Sequence, residues 1–321
     1  MPLPTAKDLR PVDPILTNLS LGYKNLEFFW DKIAPYVEVP EATGTYFEYL
    51  RDYWFRRPEH GVRAPGGTYN RLGFGVTTGT YSVLEYGWEE AVDDVTKGRS
   101  QTPEDLEDLA TQHLTNSMQL ELETQAAAAY FITGVWGTST TLSTSTPFQW
   151  SDYDQSDPMA DAWTARRTIR RNTGSEPNRL FIGALAWEKL AEHPLILDKY
   201  KYTQTGILTE ALVAAALGIE QLVVGKSVSN SAVEKAPGTA SFTGADMWTD
   251  NALFLKVTDA PALMVPSGAY TIIWNEKGNV PWATERYREE QTRSDIVRIF
   301  SHWQMKIIAA QYGYIFLDAV A

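Results

Sequence analysis

Residues able to catalyse a reaction or hold a metal are few and scattered in this sequence. The histidines are His60, His113, His193 and His302. None falls in an HxxxH or HExxH spacing, the arrangement that brings two imidazoles to one helix face around a metal. With no cysteine in the chain there is no thiolate ligand, no cysteine nucleophile and no disulfide framework. There is no GxSxG elbow. GIEQLVVGKS, from Gly218 to Ser227, ends like a phosphate-binding loop. The first glycine of GxxxxGKS would fall at position 220, which is Glu220 and would repel a phosphate. Gly73 and Gly75 lack the third glycine of a dinucleotide fingerprint, since position 78 is Thr78. The residues offer no catalytic, cofactor-binding or metal-ligating constellation, and the reading is of a protein that is not an enzyme.

Three sets of charged or aromatic residues do carry a pattern. Arg51, Arg56, Arg57, Arg63 and Arg71 stud an aromatic stretch, TYFEYLRDYWFRR, and the turn that follows it. Glu104, Asp105, Glu107, Asp108, Glu121 and Glu123 make a following helical run acidic. These charges are complementary, and if the hairpin of one copy overlies the helix of another, ion pairs at the rim would set register more than affinity. The alternative is an ordinary surface hairpin with solvated charges. Phe28, Phe29 and Trp30 form an aromatic knot in an otherwise proline-broken segment and are candidates for contact between copies. Arg166, Arg167, Arg170 and Arg171 share a helix face by i,i+4 spacing. They read either as a patch facing nucleic acid or an acidic partner, or as solvated cations at the C-terminal end of a helix dipole.

The elements that must position these residues come in an unusual order. An extended arm runs from Met1 to about Gly44, with Pro2, Pro4, Pro11, Pro14, Pro35 and Pro40 interrupting regular structure. Ile15, Leu16, Leu19, Leu21, Leu26, Ile33, Val37 and Val39 recur along it, too many apolar residues for a solvated tail. A hairpin follows over 45–96, with strand-favouring TYFEYLRDYWFRR and TYSVLEYGWEE flanking a glycine- and proline-rich turn. Thr102, Pro103, Glu104 and Asp105 then signal a helix start. Leu106, Ala110, Leu114, Met118 and Leu122 continue it at intervals of four, predicting one helix over about 102–132. Arm and hairpin have no core of their own, so they are expected to be completed by copies of the same chain.

Beyond the helix, TGVWGTSTTLSTSTP reads as a loop with some strand tendency, and Asp157–Pro158 opens a helix to about Asn172. Strands are predicted at 178–184, 221–228, 252–258 and 269–275, and helices over AWEKLAEH, with Pro194 just past its end, and ILTEALVAAALG, closed by Gly218. Residues 231–250 read as an exposed loop, and from about Glu285 a long alternating strand runs through Ile299, Ser301, Trp303, Met305 and Ile307. Of the 321 residues 44% are hydrophobic, ample for a core, and the net charge of −12 disfavours a dedicated nucleic-acid or anionic-membrane binder. No apolar run reaches the roughly 20 residues of a membrane span.

These segments, in this order, resemble the major capsid proteins of tailed bacteriophages with the Hong Kong 97-like fold. DPILTNLSLGYKN with the later IAPYVEV resembles the N-terminal arm of one branch, 46–95 its extended E-loop, EYGWEEAVDD and the helix after it the spine helix, and IRRNTGSEPNRLFIGALAWEKLAEHPLI the start of the axial domain. The resemblance implies an α+β fold: N-terminal arm 1–44, E-loop hairpin 45–96, a peripheral domain of 97–157 and 281–321 with spine helix and β-sheet, and an axial α/β domain at 158–280. It implies hexamers and pentamers building an icosahedral shell around double-stranded DNA, assembled in the host bacterial cytoplasm, with no membrane. A portal, a decoration protein and a scaffolding protein are its further implied partners. Some members crosslink an E-loop lysine to a distant asparagine; no lysine lies between Lys32 and Lys97, so a non-covalent shell is expected. The family-like arm begins within about ten residues of Met1, so scaffolding is expected to be a separate protein. An encapsulin-like shell around cargo enzymes is the alternative, and a soluble α/β enzyme a more remote one.

Overall fold

The computed structural model describes residues 28–57, 61–69, 71–73, 75–99, 103–200, 209–230, 232, 243–260, 265, 267–276 and 281–321. Most of the arm (1–27), His60, the Thr102 cap and the side chains of Glu104 and Asp105 lie outside the described residues.

The arm's foot is folded onto the subunit. A single helical turn, α1 (Trp30–Ile33), leads into β1 (Tyr36–Val39). The hairpin pairs β2 (Thr43–Tyr49), followed by a short α2 (Arg51–Trp54), with β3 (Val76–Ser82); the register runs from Thr43↔Ser82 to Tyr49↔Val76. The predicted second hairpin strand extends further than the hairpin does. Its continuation β4 (Leu84–Asp93) leaves β2 and pairs instead with a strand more than two hundred residues later, as described below. After α3 (Asp94–Arg99) comes the long helix α4 (Pro103–Tyr130), 28 residues against the predicted 102–132.

α4 is long because it is held along its length. Ala110, Leu114, Met118, Leu122, Ala126 and Tyr130 are buried at intervals of four. Beside them Thr111, Thr115, Gln119 and Glu123 form a second buried stripe, and this one is polar. Two of these groups are satisfied within the helix: Thr111 Oγ1 donates to the Glu107 carbonyl at 2.9 Å and Thr115 Oγ1 to the Thr111 carbonyl at 2.7 Å. The helix ends where Trp136 folds back and its indole N–H caps the Tyr130 carbonyl at 2.7 Å.

The second half begins with β5 (Thr138–Thr141) and α5 (Pro158–Thr173). Asp157 caps α5, accepting from the Met159 and Ala160 amides at 3.0 Å, and Gly174 ends it at φ 72°, a left-handed position that favours glycine. Then come β6 (Arg179–Gly183), α6 (Ala184–Ala191), α7 (Pro194–Tyr200), α8 (Glu210–Leu217), β7 (Gln221–Gly225), β8 (Val228–Asn230), β9 (Gly244–Asp246), β10 (Ala252–Leu255), β11 (Ala269–Trp274), β12 (Ala283–Glu289), β13 (Ser294–Ile307) and β14 (Gly313–Leu317). Pro194 does not merely follow a helix; it opens α7 from the first position, where its missing N–H costs nothing. The strand predicted at 221–228 breaks after Gly225, and Ser227 turns into the core.

Two sheets divide the subunit. One has the order β1-β11-β13-β12, with β4 also paired to β13; β1 runs parallel to β11 and the other pairs are antiparallel. The other has the order β5-β14-β10-β6-β7. Their cores are distinct. α1, α4, the first sheet and one face of the second (Phe181, Leu253, Ile315) enclose Met118, Trp248, Trp282 and Trp303, whereas α5, α6, α8 and the other face of the second sheet enclose Trp150, Ile182, Leu190 and Phe316. The predicted boundary at 280/281 is crossed in both directions. β11, expected in the axial domain, sits in the sheet of β13; β14, expected in the peripheral domain, sits between β5 and β10 in the second sheet. Sequence order hid this because strands so far apart in the chain pair through contacts that no local pattern reports.

Candidate functional site

The hairpin is the least buried part of the subunit. Phe47, Trp54 and Phe55 are exposed, as are Tyr53, Val62, Tyr69 and Leu72. Among the described residues β2 and β3 pair only with each other, and no second sheet covers their aromatic residues. Exposed Phe47 on β2 and Tyr53, Trp54 and Phe55 in and after α2 form a patch that isolated soluble subunits rarely carry. Phe55 does touch its own chain: its ring packs over Gly174, where an added Cβ would lie 3.0 Å from it.

All five hairpin arginines are exposed. Arg51 lies 4.0 Å from Asp52, and Arg63 donates to the Gly67 carbonyl and the Tyr69 hydroxyl while stacking on the Tyr69 ring at 4.4 Å. Arg56, Arg57 and Arg71 show no ion pair among the described residues. This leaves a cationic, aromatic surface at the tip, with Arg63 and Tyr69 stiffening its turn.

The acidic helix residues are not an equal counterpart. Glu107 pairs inside the subunit with Lys97 and, at 2.8 Å, with Arg286. Glu123 is fully buried, and Glu121 accepts from Gln125 at 2.7 Å. Asp108 is exposed. The complementarity read from composition therefore thins out, because α4 spends Glu107 and Glu123 within its own fold. Phe28, Phe29 and Trp30 are likewise inside: Phe29 stacks on Trp248 at 4.1 Å and on Phe181 at 5.9 Å. Their apolar surface is consumed by the subunit's own core and is not presented to a neighbour.

The arm's foot is held by one carboxylate. Glu123 accepts from the Phe29 amide at 3.0 Å, the Trp30 amide at 2.8 Å, the Ser227 hydroxyl at 3.0 Å and the Trp248 indole at 2.6 Å. Burial raises its pKa, opposed by these four donors. Ser227 and Trp248 did not stand out in the sequence. The available signal was the 107/111/115/119/123 stripe, a polar face running beside an apolar one on a helix too long to be solvated on both.

A second polar cluster lies at the end of β4 away from the hairpin, beside α3. Asp295 on β13 takes Lys97 of α3, Arg286 at 3.3 Å and Arg288 at 3.4 Å; Arg288 also binds Asp94 at 2.5 Å, and Arg298 binds Glu89 at 2.7 Å. Burial alone would raise the Asp295 pKa, but Lys97 first, and then the arginines, bring it below the ordinary 3.8. Its stabilising contribution is thus present above pH 3.8 and is lost as pH falls through the depressed value. Asp295→Asn is expected to cost about 1–3 kcal/mol at pH 7. Parallel urea titrations should show the two proteins converging on acidification; a gap that persists at low pH would rule the charge out as its source.

The arginine helix is partly neutralised. Arg166 binds Glu176 at 2.5 Å and lies 4.7 Å from the Trp163 ring, and Arg170 reaches Glu176 at 3.4 Å. Arg167 and Arg171 are exposed, so the patch is narrower than the four-residue spacing suggested. Ser156 and His193 meet at 3.0 Å, but this is not a nucleophile and its base. The Ser156 hydroxyl donates to the Asp152 carbonyl at 2.6 Å, and His193 Nδ1 accepts from the Leu195 amide, so Nε2 carries the proton. Among the described residues no group of three metal-ligating side chains forms.

No family model matches the sequence. The chain is 29% identical over 315 residues to the major capsid protein of Burkholderia phage BcepMu, covering 96% of each chain. Among solved structures it is similar to a phage-related protein from Bordetella bronchiseptica, with a TM-score of 0.75, 22% identity and coverage of 97% and 98%. It is also similar to a chain of the capsid of cyanophage P-SCSP1u, with a TM-score of 0.60, 10% identity and coverage of 90% and 88%. The architecture is the α+β Hong Kong 97-like capsid fold.

Proposed function

We infer that this chain, a homologue of phage major capsid proteins along nearly its whole length and in possession of their fold, is a structural subunit of a phage capsid and not an enzyme. The observation that carries the reading is the hairpin: a ribbon with exposed Phe47, Trp54 and Phe55 that its own subunit leaves uncovered, on a chain matching a capsid protein end to end. In a closed shell each hairpin lies over the next subunit, and burial of its aromatics supplies affinity at about 25 cal/mol per Å2 before the costs of association. The arginines beside them choose register.

Hexamers and pentamers are the units this reading expects, around double-stranded DNA held without base contacts. Arg167 and Arg171 are exposed cations on α5 with no ion pair among the described residues, free to meet phosphate or an acidic partner. The shell is non-covalent, since no lysine lies between Lys32 and Lys97 and there is no cysteine. Scaffolding, portal and decoration proteins are the other partners such a subunit would meet. Assembly belongs to the host bacterial cytoplasm.

The test is electron microscopy and sedimentation of the full chain expressed in a bacterium, alone and with the phage genes that surround it. Capsomers, tubes or closed particles are expected. A folded monomer that stays monomeric in both settings, across concentration and salt, would overturn the reading. Nucleic acid inside the particles supports a genome container; a folded enzyme inside would favour a cargo shell of the same fold.

A further inference from the structure

A carboxylate removed from water without a cation is costly to keep ionised. Glu123 stands in that position, with 0% of the residue exposed and only neutral donors bound. The donors come from three separate places: the arm's foot, the turn after β7, and the segment before β10. Among the described residues no cation pairs with it. Lys226, beside Ser227, is bound to Glu210 at 3.0 Å. Arg179 on β6 is bound to Asp259 at 2.6 Å and to the Lys32 carbonyl at 2.8 Å. On β13, which packs along α4, His302 lies 3.9 Å from Glu85. Asp31 and Lys32 on α1, Asp246 and Asp250 on either side of Trp248, and Glu121 on α4 are the titratable groups nearest in sequence to Glu123 and its other donors.

We propose that Glu123 is a proton-operated clasp: uptake of one proton tightens the hold of α4 on the Phe28–Ala34 segment and on Trp248, and ionisation loosens it. The neutral group can satisfy every partner. Its carbonyl oxygen accepts two of the amide and indole protons, its hydroxyl oxygen can take the third, and the new O–H can donate to Ser227, whose hydroxyl rotates from donor to acceptor. The ionised group keeps its donors but has no counter-charge. Because the folded pKa is raised above the ordinary 4.5, the clasp's contribution is fully present below pH 4.5 and is lost as pH rises through the folded value. This is the reverse of Asp295, so acid acts oppositely on the two ends of α4. The clasp is a property of the subunit and stands or falls independently of shell formation.

Hydrogen exchange of the full chain, followed by mass spectrometry and corrected for intrinsic rates, reads the clasp directly at residues 28–34. As pH falls through the raised folded value towards 4.5, protection there is expected to rise by up to about tenfold per unit across the titration, and to stay flat in Glu123→Gln. Protection that is flat or falling in the natural protein, or an identical rise in the variant, would overturn the proposal. Should the glutamine variant not fold, Trp248→Phe decides. It deletes one donor to the anion while keeping an aromatic ring, so the midpoint moves to higher pH; an unmoved midpoint counts against the clasp.

Discussion

Replacing Trp248 with alanine is expected to remove about 3–5 kcal/mol of subunit stability, at the upper end of what one core truncation does. The indole fills three roles at once. It stacks on Phe29 at 4.1 Å, meets Phe131 edge-to-face at 4.8 Å, and donates to Glu123 at 2.6 Å. Gly225 shows how tightly the site is filled, since a Cβ there would lie 2.5 Å from both Phe29 and Trp248. Loss of the ring therefore opens a cavity between the arm's foot and β7 and leaves a buried carboxylate short of a donor. Urea unfolding followed by circular dichroism measures it. A change under about 1 kcal/mol would mean that the neighbouring aromatics collapse into the space and that the core is far more plastic than its packing implies.

Serine in place of both Trp54 and Phe55 should have the opposite profile: an unchanged subunit and no assembly. Both side chains are more than half exposed, at 54% and 63%, so little is lost from the isolated fold. A buried aromatic at an interface commonly contributes 2 kcal/mol or more, and two together weaken each contact by about a thousandfold. Spread over the many contacts of a shell, that is enough to prevent closure. Sedimentation velocity and circular dichroism separate the outcomes. Particles at normal yield would move the adhesive surface away from the hairpin tip; an unfolded variant would show the tip to be part of the subunit's own core.

Much of the local order was legible in the sequence. The 28 residues of α4 follow from the Leu106–Leu122 spacing and the Pro103 start, and the start of α5 from Asp157 and Pro158, because caps and periodicity are local. What escaped was long-range. Nothing near Leu84 says that β4 will leave the hairpin for β13, and nothing near Gly313 says that β14 will cross to the other sheet. The candidate surface divided in the same way. Arg56, Arg57 and Arg71 remain exposed as their polarity suggests, whereas Phe28, Phe29, Trp30, Glu107 and Glu123 were drawn inward. Charge and aromaticity identify residues that need partners; they do not say whether the partner lies in the same chain. Glu123 was the hardest to foresee, because acidic side chains are rarely buried without a cation.

The place of β14 also sets the order of events at the ribosome. β5 and β10 are not paired with each other; residues 313–317 fill the gap between them. That strand is translated after every other element of either sheet. Until it emerges, the half-built sheet keeps two unpaired strand edges, at Thr138–Thr141 and at Ala252–Leu255. A nascent chain can display its hairpin long before this sheet closes, so a fully paired subunit exists only after synthesis has passed residue 317.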